Sequence, residues 1–196
     1  SLLHDLKSRF DISPDAEITL EANPDDISDI RLHQWNQLGI NRLSIGVQSF
    51  SDSDLKWMNR AHAAAQSRQC LAMAKKHGFN NLGIDLIYGL PHMTLPQWQA
   101  NIEEALLWQI PHLSCYALTV EEKTALHHFI QKGKVPPPND SLQADHFTLL
   151  MQMLNLAGYE HYEISNFALP GHRSRHNSSY WKGTPYYGFG PSAHSF

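Results

Sequence analysis

Two cysteines, Cys70 and Cys115, are all that a chain of 196 residues carries, and no C-x-x-C pair exists. Cys70 falls in a helical pattern and Cys115 in a run of strand character. A disulfide framework is thereby excluded, and a reducing, cytoplasmic setting is expected. Basic charge is also scarce: 15 Lys and Arg stand against 19 Asp and Glu, a formal net charge of −4. Such a balance leaves no electrostatic footprint for nucleic acid. No apolar run approaches the ~20 residues of a membrane span. The opening SLLHDLKSRF lacks the apolar centre of a signal peptide and reads as an amphipathic helix. Internal repeats and low-complexity tracts are missing. Histidine alone is plentiful, at 13 residues. His4, His33, His77, His92 and His112 sit near expected helix ends or loops, and the adjacent His127 and His128 cannot both face one metal from a helix. No metal site is expected from this chain alone.

What is present is an alternation of strands and helices. Four candidate strands end on polar residues: Ile18 to Pro24 with Glu21 near its exit, Arg42 to Phe50 with Gln48, Leu82 to Pro91 with Asp85 and then Tyr88, and Leu113 to Thr119 with Thr119 itself. A helical pattern follows each. Parallel strands alternating with helices gather their carboxyl ends on one edge, where α/β proteins bind ligands. Glu21, Gln48, Asp85 and Thr119 are therefore expected to line one cleft. Asp85 is the anomaly in an otherwise apolar strand, and a lone buried carboxylate needs a partner or a ligand.

The helices are punctuated conventionally. Asp25 or Ser28 caps a helix that Gly39 ends, and Ser51 or Ser53 caps a short one. A longer helix runs from Ala63 to His77 and stops at Gly78. Further helices are expected over Leu95–Gln109, Glu121–Lys132 and Leu142–Ala157, the last capped by Asp140 or Ser141. A fifth strand is expected over Tyr159–Ile164, and a last one near Tyr187–Phe189. Residues 133–140, with three consecutive prolines, read as an extended linker. Residues 168–196 read as a loop-rich closing segment. The chain is thus expected to be a single α/β domain over 1–196, built as a partial barrel or a doubly wound sheet.

The segments ITLEANP, RLSIGVQSF, Asn59-Arg60, GIDLIYGLP and LSCYALT, in this order, resemble radical S-adenosylmethionine proteins of the coproporphyrinogen dehydrogenase class. His176-Asn177-Ser178-Ser179-Tyr180-Trp181, followed by YGFGPSAHSF, resembles the HemW-like heme-chaperone branch of that class. The resemblance implies a TIM-like (β/α) partial barrel and S-adenosylmethionine contacts at Glu21, Gln48, Arg60, Asp85 and Thr119, with Asn23 and Tyr88 behind them. It implies heme contact at His176, with Tyr180 and Trp181 flanking the porphyrin, and delivery of heme to respiratory hemoproteins. It also implies a [4Fe-4S] cluster in a longer protein, held by a C-x-x-x-C-x-x-C loop that this chain does not contain; the chain reads as the central and later part of such a barrel. The rival within the class is an oxygen-independent coproporphyrinogen III dehydrogenase. Outside it stands an unrelated α/β-barrel hydrolase or lyase using Glu21 and Asp85 as metal ligands or acid–base groups.

Overall fold

A computed structural model describes residues 2–196. Its first half runs α1 (Leu2–Arg9), β1 (Thr19–Ala22), a short 3-10 turn (Pro24–Asp26), α2 (Asp29–Leu38), β2 (Arg42–Gln48), α3 (Asp52–Trp57), α4 (Ala64–Lys76) and β3 (Leu82–Tyr88). Then come α5 (Leu95–Leu107), β4 (His112–Ala117), α6 (Ala125–Gln131), α7 (Asp140–Leu156), β5 (Glu160–His161), β6 (Asn166–Ala168) and α8 (Arg175–Trp181). The six strands form one sheet in the order β1-β2-β3-β4-β6-β5. The first four are parallel neighbours in chain order, as the strand–helix alternation requires.

The period-2 alternation of each strand decides what the two faces do. Leu43, Ile45, Val47, Leu82, Ile84, Leu86, Leu113 and Phe167 point to the helix side and are buried with Leu32, Leu71, Trp98, Ile102, Leu150 and Leu154. Each fully buried aliphatic side chain contributes about 1.5–3 kcal/mol of transfer free energy, and this face carries the core. The indole N–H of Trp98 donates to the His146 carbonyl at 3.0 Å, which ties α5 to α7. The opposite face presents Thr19, Glu21, Arg42, Ser44, Asp85, His112, Ser114 and Asn166. It is polar and lines a cavity rather than a second helix layer.

Helix ends follow local chemistry. Ser28 accepts from the Arg31 N–H, and Gly39 closes α2 at φ +84°, a left-handed position that costs glycine little. Thr94 and Gln97 form a capping box at α5.

Several expectations are corrected. The fifth strand is not one strand but a short antiparallel pair, β5 and β6, with β6 against β4. A parallel return needs a crossover of a dozen residues or more, and the few residues between β5 and β6 permit only a hairpin. β4 ends at Ala117, so Thr119 lies beyond the strand. α6 begins at Ala125, capped by Thr124, rather than at Glu121. α7 begins at Asp140, capped by Asn139, and residues 134–139 before it are neither helix nor strand. Among the described residues no strand lies beyond Ala168, although Tyr186 and Phe196 exchange two backbone hydrogen bonds. The segment expected as loop instead contains α8, which carries the H-N-x-x-Y-W residues.

Candidate functional site

The polar face lines a cavity of about 840 Å³, roomy enough for a small-molecule ligand. One wall is built from Glu21 on β1, Ser44 on β2, Asp85 on β3, and Ser114 and Tyr116 on β4. Strand register sets this wall: Glu21 pairs laterally with Ser44, and Asp85 with Ser114. Burial pushes the Asp85 carboxyl up to about 6. The Ser114 hydroxyl opposes that rise, the like charge of Glu21 adds to it, and the Arg42 and Arg60 guanidiniums oppose it. Glu21 itself is exposed and makes no hydrogen bond or ion pair within the described residues, so its oxygens are free to accept from a ligand.

Gln48 reaches the same end by a different device. The β2–β3 register breaks between Ile45 and Gln48, and Gln48 sits at φ +65°, a conformation that costs a non-glycine residue roughly 1–2 kcal/mol. Such a bulge re-aims a side chain. Here it brings the Gln48 amide over Gly46: a Cβ at Gly46 would lie 2.8 Å from Gln48 Nε2, 3.3 Å from Asn23 Oδ1 and 3.5 Å from Arg60 Nη2. Arg60 Nη2 donates to Asn23 Oδ1 at 3.2 Å. A side chain at 46 would therefore displace the ends of these three polar side chains. The turn after Gln48 is locked from outside, with Ser49 Oγ donating to the buried Asp54 at 2.7 Å and the Phe50 N–H donating to Asn101 Oδ1 at 2.6 Å.

The sequence-expected residues thus fall into three places. Glu21 and Asp85 share the cavity wall. Gln48, Arg60 and Asn23 surround Gly46 beside it. Thr119 is exposed on the same side, its hydroxyl donating to the Ala117 carbonyl at 3.3 Å, and does not line the cavity. Tyr88 belongs to the outward core, packed on Trp98 with ring centroids 5.4 Å apart, and not to the cleft.

α8 closes the other end. The Glu17 carboxylate, just before β1, accepts the Arg175 N–H on both oxygens at 3.1 and 3.2 Å and the His176 N–H at 3.4 Å. This seats His176, Asn177 and Tyr180 at the amino end of the cavity. His176 and Tyr180 share a helix face, ring centroids 4.8 Å apart and nearly perpendicular. Trp181 turns away into a separate groove with Tyr162, Arg173, Arg175 and Lys182. Tyr180 and Trp181 therefore do not flank one plane, because neighbouring positions on a helix face about 100° apart.

Two residues of the cavity escaped sequence reasoning. Arg42, read as the first residue of the second strand, and His112, read as lying near a helix end or loop, are 3% and 2% exposed and line the cavity. The signal that marks Arg42 is the polar period of two, Arg42-Ser44-Gly46-Gln48. His172 stands four before His176, yet among the described residues no three His, Cys, Asp or Glu side chains gather as metal ligands. Cys70 and Cys115 are buried and free. Burial pushes the Cys70 thiol up to about 12 and raises Cys115 as well. Neither faces the cavity, so the residues present do not fit an iron–sulfur cluster.

Comparison with known proteins bears on this site. A sequence model of the radical SAM superfamily matches residues 2–105. The heme chaperone HemW of Synechocystis sp. is 42% identical over 94% of this chain and 45% of its own length. The heme chaperone HemW of Escherichia coli is 37% identical over 99% of this chain and 50% of its own. The chain thus spans about half the length of these curated relatives. Among solved structures, coproporphyrinogen III oxidase from Escherichia coli, described as a radical SAM enzyme, superposes with a TM-score of 0.80. It is 26% identical and is matched over 99% of this chain and 47% of its own. No helix among the described residues is long and apolar enough to cross a membrane.

Proposed function

Because the chain belongs to the radical SAM superfamily, we propose that its polar face binds S-adenosylmethionine within a protein that handles heme. The observation carrying the first part is the convergence of Glu21 and Asp85 on one wall with Gln48, Asn23 and Arg60 packed around Gly46 beside it. The cofactor offers an ammonium, a sulfonium, a carboxylate and a ribose diol. Glu21 and Asp85 supply acceptors for the cationic groups or the diol, and Gln48 both donates and accepts. Arg60 offers a guanidinium fork to the carboxylate, and Thr119 a hydroxyl at the rim. When bound, the cofactor would supply methionine sulfonium chemistry; what the chain's own residues do is bind and orient it. No step is assigned to a [4Fe-4S] cluster, for which this chain has no ligands.

The heme reading is supported by relatives named heme chaperones at 37–42% identity and by His176, an exposed imidazole at the cavity's amino end. In this proposal His176 contacts heme, Tyr180 packs beside it, Trp181 has no part in the same face, and the protein passes heme to respiratory hemoproteins in the cytoplasm. The likeness to coproporphyrinogen III oxidase, at 26% identity, supports a second reading, oxidative decarboxylation of coproporphyrinogen. Calorimetric titration of S-adenosylmethionine into the protein in its natural full-length context tests the first part. Glu21→Ala, Gln48→Ala and Asp85→Ala should each weaken binding by about 1–3 kcal/mol, since each leaves a polar ligand group unpaired. Unchanged affinity in all three would refute it. Heme titration of wild type and His176→Ala, beside a coproporphyrinogen turnover assay, separates the two heme readings: turnover without heme binding would refute the chaperone.

A further inference from the structure

The amino-terminal floor of the cavity contains a buried cation that makes no ion pair among the described residues. Arg42 is 3% exposed, its Nε has no hydrogen-bond partner, and no ion pair among the described residues includes its guanidinium. Its charge acts on the Asp85 carboxyl without a hydrogen bond to it, and a guanidinium buried with no hydrogen-bonded anion is costly. Beside it stands His112, 2% exposed, whose Nε2 lies 2.7 Å from Tyr162 Oη and whose Nδ1 is buried and unpaired. The two meet over a bare glycine: a Cβ at Gly83 would lie 2.9 Å from Arg42 Nη2, 3.2 Å from His112 Nδ1 and 3.5 Å from Ser44 Oγ. Asn177 Oδ1, from α8, is another unpaired buried atom lining the same cavity. Gly83 precedes Asp85 by two residues on β3, so this floor lies about 7 Å deeper than Asp85, in the lateral row that runs Glu21, Ser44, Gly83, His112 across the sheet.

We propose that this floor is a subsite for a single carboxylate, held by Arg42 with His112 and Ser44 around it. The planar guanidinium fork matches a carboxylate on two oxygens at once. Burial, then the Arg42 charge and His172, holds His112 down to about 3, so Arg42 is the cation of this floor. Glu17, Glu21 and Asp85 line the same cavity, and their carboxyl groups disfavour a doubly charged phosphate more than a monoanion. Assigning Arg60 to the cofactor carboxylate leaves Arg42 for a different acid: either a small free carboxylate or, resting on the heme reading above, a propionate side chain of a tetrapyrrole.

Three measurements on the full-length protein test this. First, the His112 ring resonances are followed during titration with sodium acetate and with acetamide at constant ionic strength. Acetate should give a saturable shift, acetamide none. Arg42→Gln should abolish the response, and Arg42→Lys should weaken it several-fold. No saturable shift, or one that survives in Arg42→Gln, overturns the subsite. Second, thermal unfolding in acetate-free buffer should show Arg42→Met at least as stable as wild type, because it removes a buried charge that makes no ion pair. A midpoint lowered by several degrees would mean that Arg42 is structural and would also overturn it. Third, binding of protoporphyrin IX is compared with that of its dimethyl ester. A preference of at least ten-fold for the diacid, lost in Arg42→Gln, identifies the tetrapyrrole as the source. Equal affinities beside a positive acetate response support a smaller acid. Binding of neither porphyrin counts against the heme reading, while the acetate titration still decides the subsite.

Discussion

Replacing Asp85 by asparagine should make the protein more stable at neutral pH and a poorer ligand-binder. Burial raises this carboxyl from 3.8 to about 6. Two units at about 1.4 kcal/mol each give roughly 3 kcal/mol of strain in the ionised, folded form. The sign follows from proton binding. Between pH 4 and 6 the folded state holds a proton that the unfolded state has released, so stability falls as pH rises through this window. Below it the group costs nothing; above it the full penalty applies. Asparagine has the same shape and leaves Ser114 a partner. Asp85→Asn should therefore gain up to roughly 3 kcal/mol at pH 7.5 and almost nothing at pH 4. Denaturant unfolding of wild type and variant at both pH values measures the difference directly. Equal effects at the two pH values, or a loss at pH 7.5, would refute the reasoning. So would a wild-type stability that climbs between pH 4 and 6 with the same slope in the variant.

Two further substitutions probe other parts of the site. Gly46→Ala places a methyl 2.8 Å from Gln48 Nε2 and 3.3 Å from Asn23 Oδ1. It should weaken S-adenosylmethionine binding about ten-fold by calorimetry while lowering stability by no more than about 1 kcal/mol. Glu17→Ala removes the acceptor for the first N–H groups of α8. It should cost about 1 kcal/mol and speed amide exchange across residues 175–181, leaving β1 to β4 unchanged.

The parallel order of β1 to β4 was legible because each strand is a local apolar pattern followed by its own helix, and such units have one chirality and one side for their carboxyl ends. Asp85 was legible as a charge that an apolar strand would not otherwise keep, and Glu21 through its place at a strand exit. What escaped was whatever depends on distant partners. Asn166-Phe167-Ala168 is too short to announce itself, and becomes a strand by pairing with β4. Arg175–Trp181 contains few strong helix formers. It is helical where Ser174 caps it and Glu17 receives its N–H groups, a carboxylate 158 residues earlier in the chain. Thr119 and Tyr88 were misplaced for a simpler reason: a strand pattern does not show where pairing stops or which face an aromatic residue takes.

That contact between Glu17 and Arg175 also has a meaning in time. The helix that covers the amino end of β1 is synthesised 158 residues after Glu17. At ribosomal rates of ~5–20 residues per second, the cavity floor stays unsealed for roughly 8–30 s of each molecule's birth. The parallel core of β1 to β4 can assemble during that interval, because its pairings are sequential. Closure is then a separate, late event of high sequence separation, which pays its loop entropy only once the sheet stands. A nascent chain paused before α8 would hold a formed sheet and an open floor, with Arg42 still in water.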